Sequence, residues 1–267
     1  MVKLQILDKT AKKTGEVDCK VSVVIREDIF KKAVLAEQSL FYQEQGSDKE
    51  AGKKAAINLS KRRQTYRSTY GRSASRTPKK VMWRRGKQLR YVGAFAPSTV
   101  GGRRAHPPKV EKNTIKDVNN KEWFRALKIG FVASLNKTLI EKNGQRVPST
   151  YPFILDDNVE TLQKTKDTKE FLEKIGFSEE FERTKNRKIR AGIGKMRSRK
   201  YKTKRGILLV ISSTQVPFFK SASNIRGVDI LTPELLMTSD FGMNEKAGRM
   251  VVFTKGAFTQ FMEVLNS

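Results

Sequence analysis

The chain has 267 residues, 37% of them hydrophobic, and a formal net charge of +28 with a pI near 10.3. Such a charge points to nucleic acid before an acidic protein or a membrane surface, and apolar runs such as 207–211 are far too short to cross a bilayer. The single cysteine, Cys19, excludes an intramolecular disulfide and a cysteine zinc site, and residues 1–8 carry no signal-peptide pattern, so a reducing, intracellular compartment is expected.

The charge is segregated. Residues 52–112 hold 18 Lys or Arg and one acid, Glu111, for +17, and residues 183–205 hold twelve Lys or Arg and no acid, for +12. Of the total of +28 this leaves the rest of the chain at −1. A near-neutral body with two cationic appendages is implied. The expected division is a globular body of residues 1–51 and 113–267 and an extended basic loop of residues 52–112.

In chain order, residues 2–7 alternate as an opening strand, Thr14 and Gly15 supply a turn, and residues 21–25 form a second strand. From Asp28 the period becomes helical. Ile29, Phe30, Ala33, Val34, Leu40 and Phe41 share one face, and Lys31, Lys32, Glu37 and Gln38 share the other, until Gly46-Ser47-Asp48 breaks the pattern.

Within 52–112 the rings of Tyr66, Tyr70, Trp83, Tyr91 and Phe95 are interleaved with Arg and Lys. Rings and guanidinium planes stack on unpaired bases while neighbouring charges hold phosphates. The plainer alternative is a solvated basic loop whose aromatics collapse on one another. Length favours the first reading. Each arm of about 30 residues extends up to about 100 Å, against a radius of gyration of about 16 to 17 Å for a body of about 200 residues. The candidate RNA contacts here are Arg62, Arg63, Arg67, Arg72, Arg76, Lys79, Lys80, Arg84, Arg85, Lys87, Arg90, Arg103, Arg104, His106 and Lys109. His106 is the only histidine, so it has no second imidazole with which to share a metal, and it reads as a packing or hydrogen-bonding residue.

After Asn119-Asn120, Trp123, Phe124, Leu127, Phe131, Leu135 and Leu139 recur at helical steps, and Gly144 stands where a C-terminal cap belongs. Residues 151–155 read as a buried strand, followed by a helical region through Leu162, Phe171, Leu172 and Ile175. Asp156, Asp157 and Glu160 suggest a metal cluster or, more plainly, acids favoured at a helix N-terminus. In the second basic stretch Gly192-x-Gly194-Lys195 imitates a nucleotide loop, but the strand at 207–211 follows the glycines where such a loop needs one before them. A glycine-relieved loop laid on a sugar-phosphate backbone is simpler, with Arg190, Lys195, Arg197, Arg199, Lys200 and Tyr201 as its contacts. Strands at 228–231 and 250–254, a short helix from Thr232-Pro233-Glu234 and a closing helix through Phe258, Phe261, Met262 and Leu265 complete the chain. Strands separated by helices imply an α/β fold, a parallel-type sheet flanked by helices, with the basic loop inserted after the first helix.

Several segments together resemble the family of large-subunit ribosomal protein four in its archaeal and eukaryotic form. They are Gln45-Gly46-Ser47-Asp48, Gly71-Arg72-Ser73 followed by Trp83-Arg84-Arg85-Gly86, Gly102-Arg103-Arg104-Ala105-His106-Pro107-Pro108-Lys109 and, above all, Arg190-Ala191-Gly192 through Gly206. The match continues into Val228-Asp229-Ile230-Leu231-Thr232 and Gly248-Arg249-Met250-Val251-Val252-Phe253-Thr254. The resemblance implies a structural protein of the large subunit that binds its rRNA, with a globular α/β domain on the solvent side and a long loop threaded through rRNA. The loop tip would help to form the constriction of the nascent-peptide exit tunnel beside another ribosomal protein. Matching positions place the tip near residues 76–90, with Trp83, Arg84 and Arg85 nearest the tunnel. Large-subunit rRNA, neighbouring ribosomal proteins and the nascent peptide are the implied partners, without a membrane. No cofactor is implied beyond structural magnesium of the rRNA. The implied location is the cytoplasmic ribosome, with nuclear or nucleolar assembly if the source is eukaryotic.

Two departures stand out. The glycine-rich segment after the family's Trp-Arg is reduced to Gly86-Lys87-Gln88-Leu89, and the sequence stops at Ser267 without the long extension of animal and fungal members, as in an archaeal or shortened eukaryotic member. The operon repression known for some bacterial relatives is not carried over, since no motif encodes it. An RNA-modifying enzyme is the alternative from another class, but Leu7 is followed by Asp8-Lys9-Thr10-Ala11 with no glycine-rich turn, and no cluster suggests chemistry. A free-standing RNA chaperone would share the charge. No catalytic residue and no metal site are expected.

Overall fold

The structure, a computed structural model, describes residues 2–57, 62–64, 75–86 and 88–266. The chain divides into two units, Met1–Phe41 with Ile115–Ser267, and Tyr42–Thr114.

In the first unit β1 (Val2–Leu7) pairs antiparallel with β2 (Lys13–Cys19), Leu4 opposite Val17. The reversal lies at residues 8–12, where the Asp8 N–H donates to the Lys12 carbonyl and the Ala11 N–H to that of Asp8. The expected turn at Thr14-Gly15 is therefore inside β2, and residues 21–25 are irregular. Their alternation reflects Val21, Val23 and Ile25 packing against the core, since half-burial has the same period whether or not a strand is paired.

Helix α1 (Glu27–Leu40) buries Phe30, Ala33 and Val34 as its period predicts. Leu40 and Phe41, expected on that face, are exposed because the helix ends there. Glu37, expected in solvent, is buried, and its carboxylate accepts from Trp123 Nε1 at 2.7 Å and from the Thr238 and Ser239 N–H groups at 2.8 Å each. Three donors satisfy a charge that burial would otherwise penalise.

The second unit contains a hairpin that hydrophobic patterning does not announce, β3 (Lys79–Arg85) and β4 (Gln88–Gly93). The single helix expected after Asn119 is two, α2 (Asn120–Leu135) and α3 (Lys137–Lys142). Asn136 breaks it, its Oδ1 accepting the Thr138 N–H at 3.2 Å as an N-cap. Gly144 follows α3 with φ +86, at the expected capping position.

Next come β5 (Phe153–Leu155), a 3₁₀ turn Asp157–Thr161, α4 (Thr165–Leu172), a π turn Glu173–Phe177 and α5 (Ser178–Lys185). After them lie β6 (Lys188–Ile189), β7 (Tyr201–Lys202), β8 (Ile207–Val210), α6 (Pro217–Ser223) and β9 (Val228–Leu231). The chain closes through β10 (Gly242–Met243), β11 (Lys246–Ala247), β12 (Val251–Phe253) and α7 (Lys255–Asn266).

The fold is mixed α/β, with two three-stranded sheets where one parallel sheet was expected. One has the order β2-β1-β5 and holds the antiparallel β1–β2 pair; the other, β12-β8-β9, is parallel throughout. A single parallel bridge, Leu155 to Thr254, links them. Strand β8 is buried along its whole length, as a continuous Ile-Leu-Leu-Val run demands. Its alternate residues serve different cores. Leu208 and Val210 join Phe30, Val34, Leu127, Phe131 and Phe261, whereas Ile207 and Leu209 join Ile140, Phe171, Leu172 and Phe218.

The starts of β8 and β9 meet without side chains. A Cβ on Gly227, whose φ is +88, would stand 2.5 Å from Thr184 Cβ, and one on Gly206 would stand 2.2 Å from the Gly227 carbonyl. Gly227→Ala is expected to lose about 2 to 4 kcal/mol from left-handed strain plus overpacking. Urea unfolding with an unchanged slope checks it, and an unaltered midpoint would mean that this junction is not a constraint.

Candidate nucleic-acid interface

The β3–β4 hairpin carries five of the expected contacts, Lys79, Lys80, Arg84, Arg85 and Arg90, together with Trp83. Register pairs Lys79 with Gly93, Lys80 with Val92, Val81 with Tyr91, Trp83 with Arg90, Arg84 with Leu89 and Arg85 with Gln88, with an irregularity between Val81 and Trp83. Met82 is thus an extra residue, a bulge. Directly opposed residues share a face, so the bulge moves Trp83 onto the face of Lys80, Arg85 and Arg90. Tyr91 lies on the other face with Lys79 and Arg84. Each face therefore offers one ring among cations. Trp83 is 47% exposed, so its ring is open to a stacking partner. At the turn, Gly86 has φ +57, the conformation that two-residue hairpin loops favour, and its carbonyl accepts Arg84 Nε at 3.1 Å.

Of the other expected residues in this unit, Arg62, Arg63, Arg76, Arg104 and Lys109 are exposed and Arg103 is half-buried, its N–H bonded to the Phe95 carbonyl at 3.3 Å. Arg67, Arg72 and Lys87 lie outside the described residues, as do Tyr66, Tyr70 and the Gly71-Arg72-Ser73 segment. His106 is exposed, not packed, because it sits beside Pro107-Pro108 in the outgoing segment. That segment runs against the incoming one: the Ser47 N–H donates to the Pro108 carbonyl at 3.3 Å, and a Cβ on Gly52 would lie 2.4 Å from the Gly102 carbonyl group.

The second basic stretch forms a finger on the first unit. Lys188 opposes Lys202 and Ile189 opposes Tyr201. The tip is closed by backbone bonds from Arg190 N–H to Lys200 at 2.9 Å, Arg199 N–H to Gly194 at 3.1 Å and Met196 N–H to Ile193 at 3.0 Å. Arg190 is a brace as much as a contact. Its Nε donates to the Arg199 carbonyl at 3.2 Å, and its stem crosses Gly194 so closely that a Cβ there would meet Arg190 Cδ at 2.7 Å. Lys195, Arg197, Arg199, Lys200 and Tyr201 are exposed as expected. The Tyr201 ring has Arg187 Cζ at 5.8 Å and Lys200 Nζ at 5.5 Å, within cation–π range. Charge counting noticed neither the placement of Arg187 nor the exposed Ile193 and Met196 at the tip.

Not all twelve cations of 183–205 face outward. Arg183 grips Glu180 through Nε at 2.7 Å and Nη2 at 2.6 Å, and donates to the Arg205 carbonyl. Arg205 in turn approaches Asp229 at 3.5 Å and Asp240 at 3.1 Å. Beneath them Arg249 is fully buried, donating to the carbonyls of Gly206 at 2.8 Å and Ile207 at 3.3 Å and paired with Asp229. Burial pushes the Asp240 carboxyl up, against the Met237 N–H and the Arg205 and Arg249 charges, which pull it down.

Where an enzyme of this fold class would hold a ligand, at the carboxyl ends of parallel strands, the chain's own carboxylates take the donors. Asp157 Oδ1 accepts the Gly256 N–H in the first turn of α7 at 2.7 Å, a position suited to phosphate. Glu160 accepts the Ser212 N–H at 3.0 Å, Ser212 Oγ at 2.6 Å and Thr254 Oγ1 at 2.7 Å. Among the described residues no group of His, Cys, Asp and Glu could hold a metal ion, and no helix is long and apolar enough to cross a membrane.

Residues 16–264 match the model of the ribosomal protein L4/L1 family. A large ribosomal subunit protein uL4 of Nanoarchaeum equitans is 34% identical over 239 residues, covering 90% of this chain and 89% of the relative. The proteins of that name from Methanoregula boonei and Methanocaldococcus jannaschii are each 37% identical, over 87% and 89% of this chain and 87% and 88% of their own.

Replacing Glu160 by Ala would leave the Ser212 and Thr254 donors without their acceptor beside the core. About 2 to 4 kcal/mol of stability should be lost, and Glu160→Gln, which keeps an oxygen acceptor, should lose less. Equal unfolding midpoints for Glu160→Ala and the parent would show that the carboxylate is not the latch.

Proposed function

The chain belongs to the ribosomal protein L4/L1 family and is a non-enzymatic structural protein of the large ribosomal subunit, and from that premise we propose that it holds large-subunit rRNA through its two basic elements. The observation that carries the reading is the pairing of exposed cations with an exposed ring on the β3–β4 hairpin. Affinity comes from releasing the counterions that phosphates hold, and stacking of Trp83 and Tyr201 on unpaired bases adds a non-ionic component. The finger supplies Lys195, Arg197, Arg199 and Lys200 to the backbone, and the near-neutral body seats on the RNA surface.

Residues 52–112 act in this reading as the extended rRNA-binding loop, directed toward the nascent-peptide exit tunnel. The hairpin turn, with Trp83, Arg84 and Arg85 beside it, is its tunnel-proximal tip. A neighbouring ribosomal protein and the passing nascent chain are the partners there. The pairing of Arg85 with Gln88 on either side of Gly86 supports a narrow tip. No cofactor takes part; any magnesium present belongs to the rRNA.

Two measurements test the reading. On a sucrose gradient of cell lysate the protein should remain with the large subunit and polysomes at moderate and high salt; recovery at the top of the gradient from the start would return the RNA-chaperone alternative. Replacing Arg84 and Arg85 together with Ala should lower the slope of log affinity against log salt by about 2, one phosphate contact each, and disturb nascent-chain passage while the body stays folded. An unchanged slope together with unchanged translation would count against the tip assignment.

A further inference from the structure

We propose that the tip of the β6–β7 finger is an apolar wedge: Met196 and Ile193 insert beside an unstacked base of the RNA and set where along the strand the finger's cations sit. The inference rests on the rRNA-binding reading above and adds a positional contact to it.

The finger has no core of its own. Ile189 is 64% exposed, Ile193 66% and Met196 89%. Its shape is held by the short β6–β7 ladder, by the turn at Gly192–Lys195 and by the Arg190 brace, none of which uses the Ile193 or Met196 side chain. These side chains are therefore not required by the fold of the free protein, and leaving them in water forgoes the gain that burial would bring.

Charge selects the occupant. Between Arg187 and Lys202 there are eight Lys or Arg and no acid, and Lys195 and Arg197 flank Met196 directly. A protein pocket for this tip would have to bring carboxylates for those cations, whereas RNA brings phosphates on both sides of a stackable gap. Ile and Met are among the side chains that proteins insert between base steps. Phosphate contacts carry no sequence information, so a finger of cations alone would slide; a wedge that needs one unstacked step does not.

The test uses the full-length chain and large-subunit rRNA, comparing the parent with Ile193→Ala/Met196→Ala and with Lys195→Ala/Arg197→Ala. The apolar double variant should bind about tenfold more weakly or worse, as expected for uncovering buried side chains, with an unchanged salt slope. It should also lose one localised change in base reactivity to chemical probing, and Met196→Leu should retain it. The charge variant should instead lower the slope by about 2. Parent-like affinity and base reactivity in the apolar variant would overturn the wedge and leave the RNA reading standing. Absence of salt-dependent binding by the parent would overturn both. If the apolar variant keeps its RNA affinity but loses association with another large-subunit protein, the tip seats in protein and the proposal fails.

Discussion

A single guanidinium joins the fold to its charged surface. Arg249 enters the interior just before β12, takes the Gly206 and Ile207 carbonyls at the start of β8 and pairs with Asp229 on β9. Burying a charge is costly unless every donor is used. Here the backbone supplies acceptors that hydrophobic packing could not replace, and Asp229 keeps half its side chain in water, which lowers its own desolvation. The arrangement brings three parallel strands into register at the point where the basic finger leaves the body. Arg205, the last cation of the finger, is bound to the same Asp229 and to Asp240. The finger is thus anchored by charges that it does not present outward.

Three acids of the body are turned inward. Glu37, Glu160 and Glu180 are all buried, and each accepts at least one backbone N–H from a segment distant in sequence. A carboxylate used in this way helps to hold the fold and adds little negative field at the surface. Inward acids and outward cations act in the same direction, because these three carboxylates add little to the negative field that a polyanion would meet. Carboxylates at the strand ends act in the same way, Asp157 and Glu160 holding the Gly256, Ser212 and Thr254 donors.

Much of the body could be read from periodicity. The buried faces of α1 and α2, the continuous run of β8 and the closing helix α7 all follow from where apolar residues recur, since core packing imposes those periods. What was misread depended on single side chains. Asn136 divides one apparent helix because its amide caps the next, and Glu37 sits inside because three donors converge on it; neither fact has a periodic signature. The β3–β4 hairpin was invisible because both of its faces are exposed, so no alternation between apolar and polar residues was imposed on it. In the two basic stretches, counting charge marked the segments but not the role of each cation. It could not separate Arg183, Arg190 and Arg205, which are spent on the protein itself, from the cations left facing outward. It also hid Ile193 and Met196 among their neighbours.

The junction on the first unit where the chain departs at Phe41 and returns at Ile115 carries a consequence for how such a chain can change. The Ser39 hydroxyl accepts the Lys116 N–H at 2.9 Å, and Glu37 binds Trp123, so the edges of the interruption are stitched together by the body's own groups. The interrupting unit is in that sense a cassette. Closing a longer or shorter excursion alters the entropy only logarithmically, by about 0.6 kcal/mol per doubling of length. Evolution can therefore lengthen, trim or re-sequence that cassette at little cost to the closure of the domain that bears it.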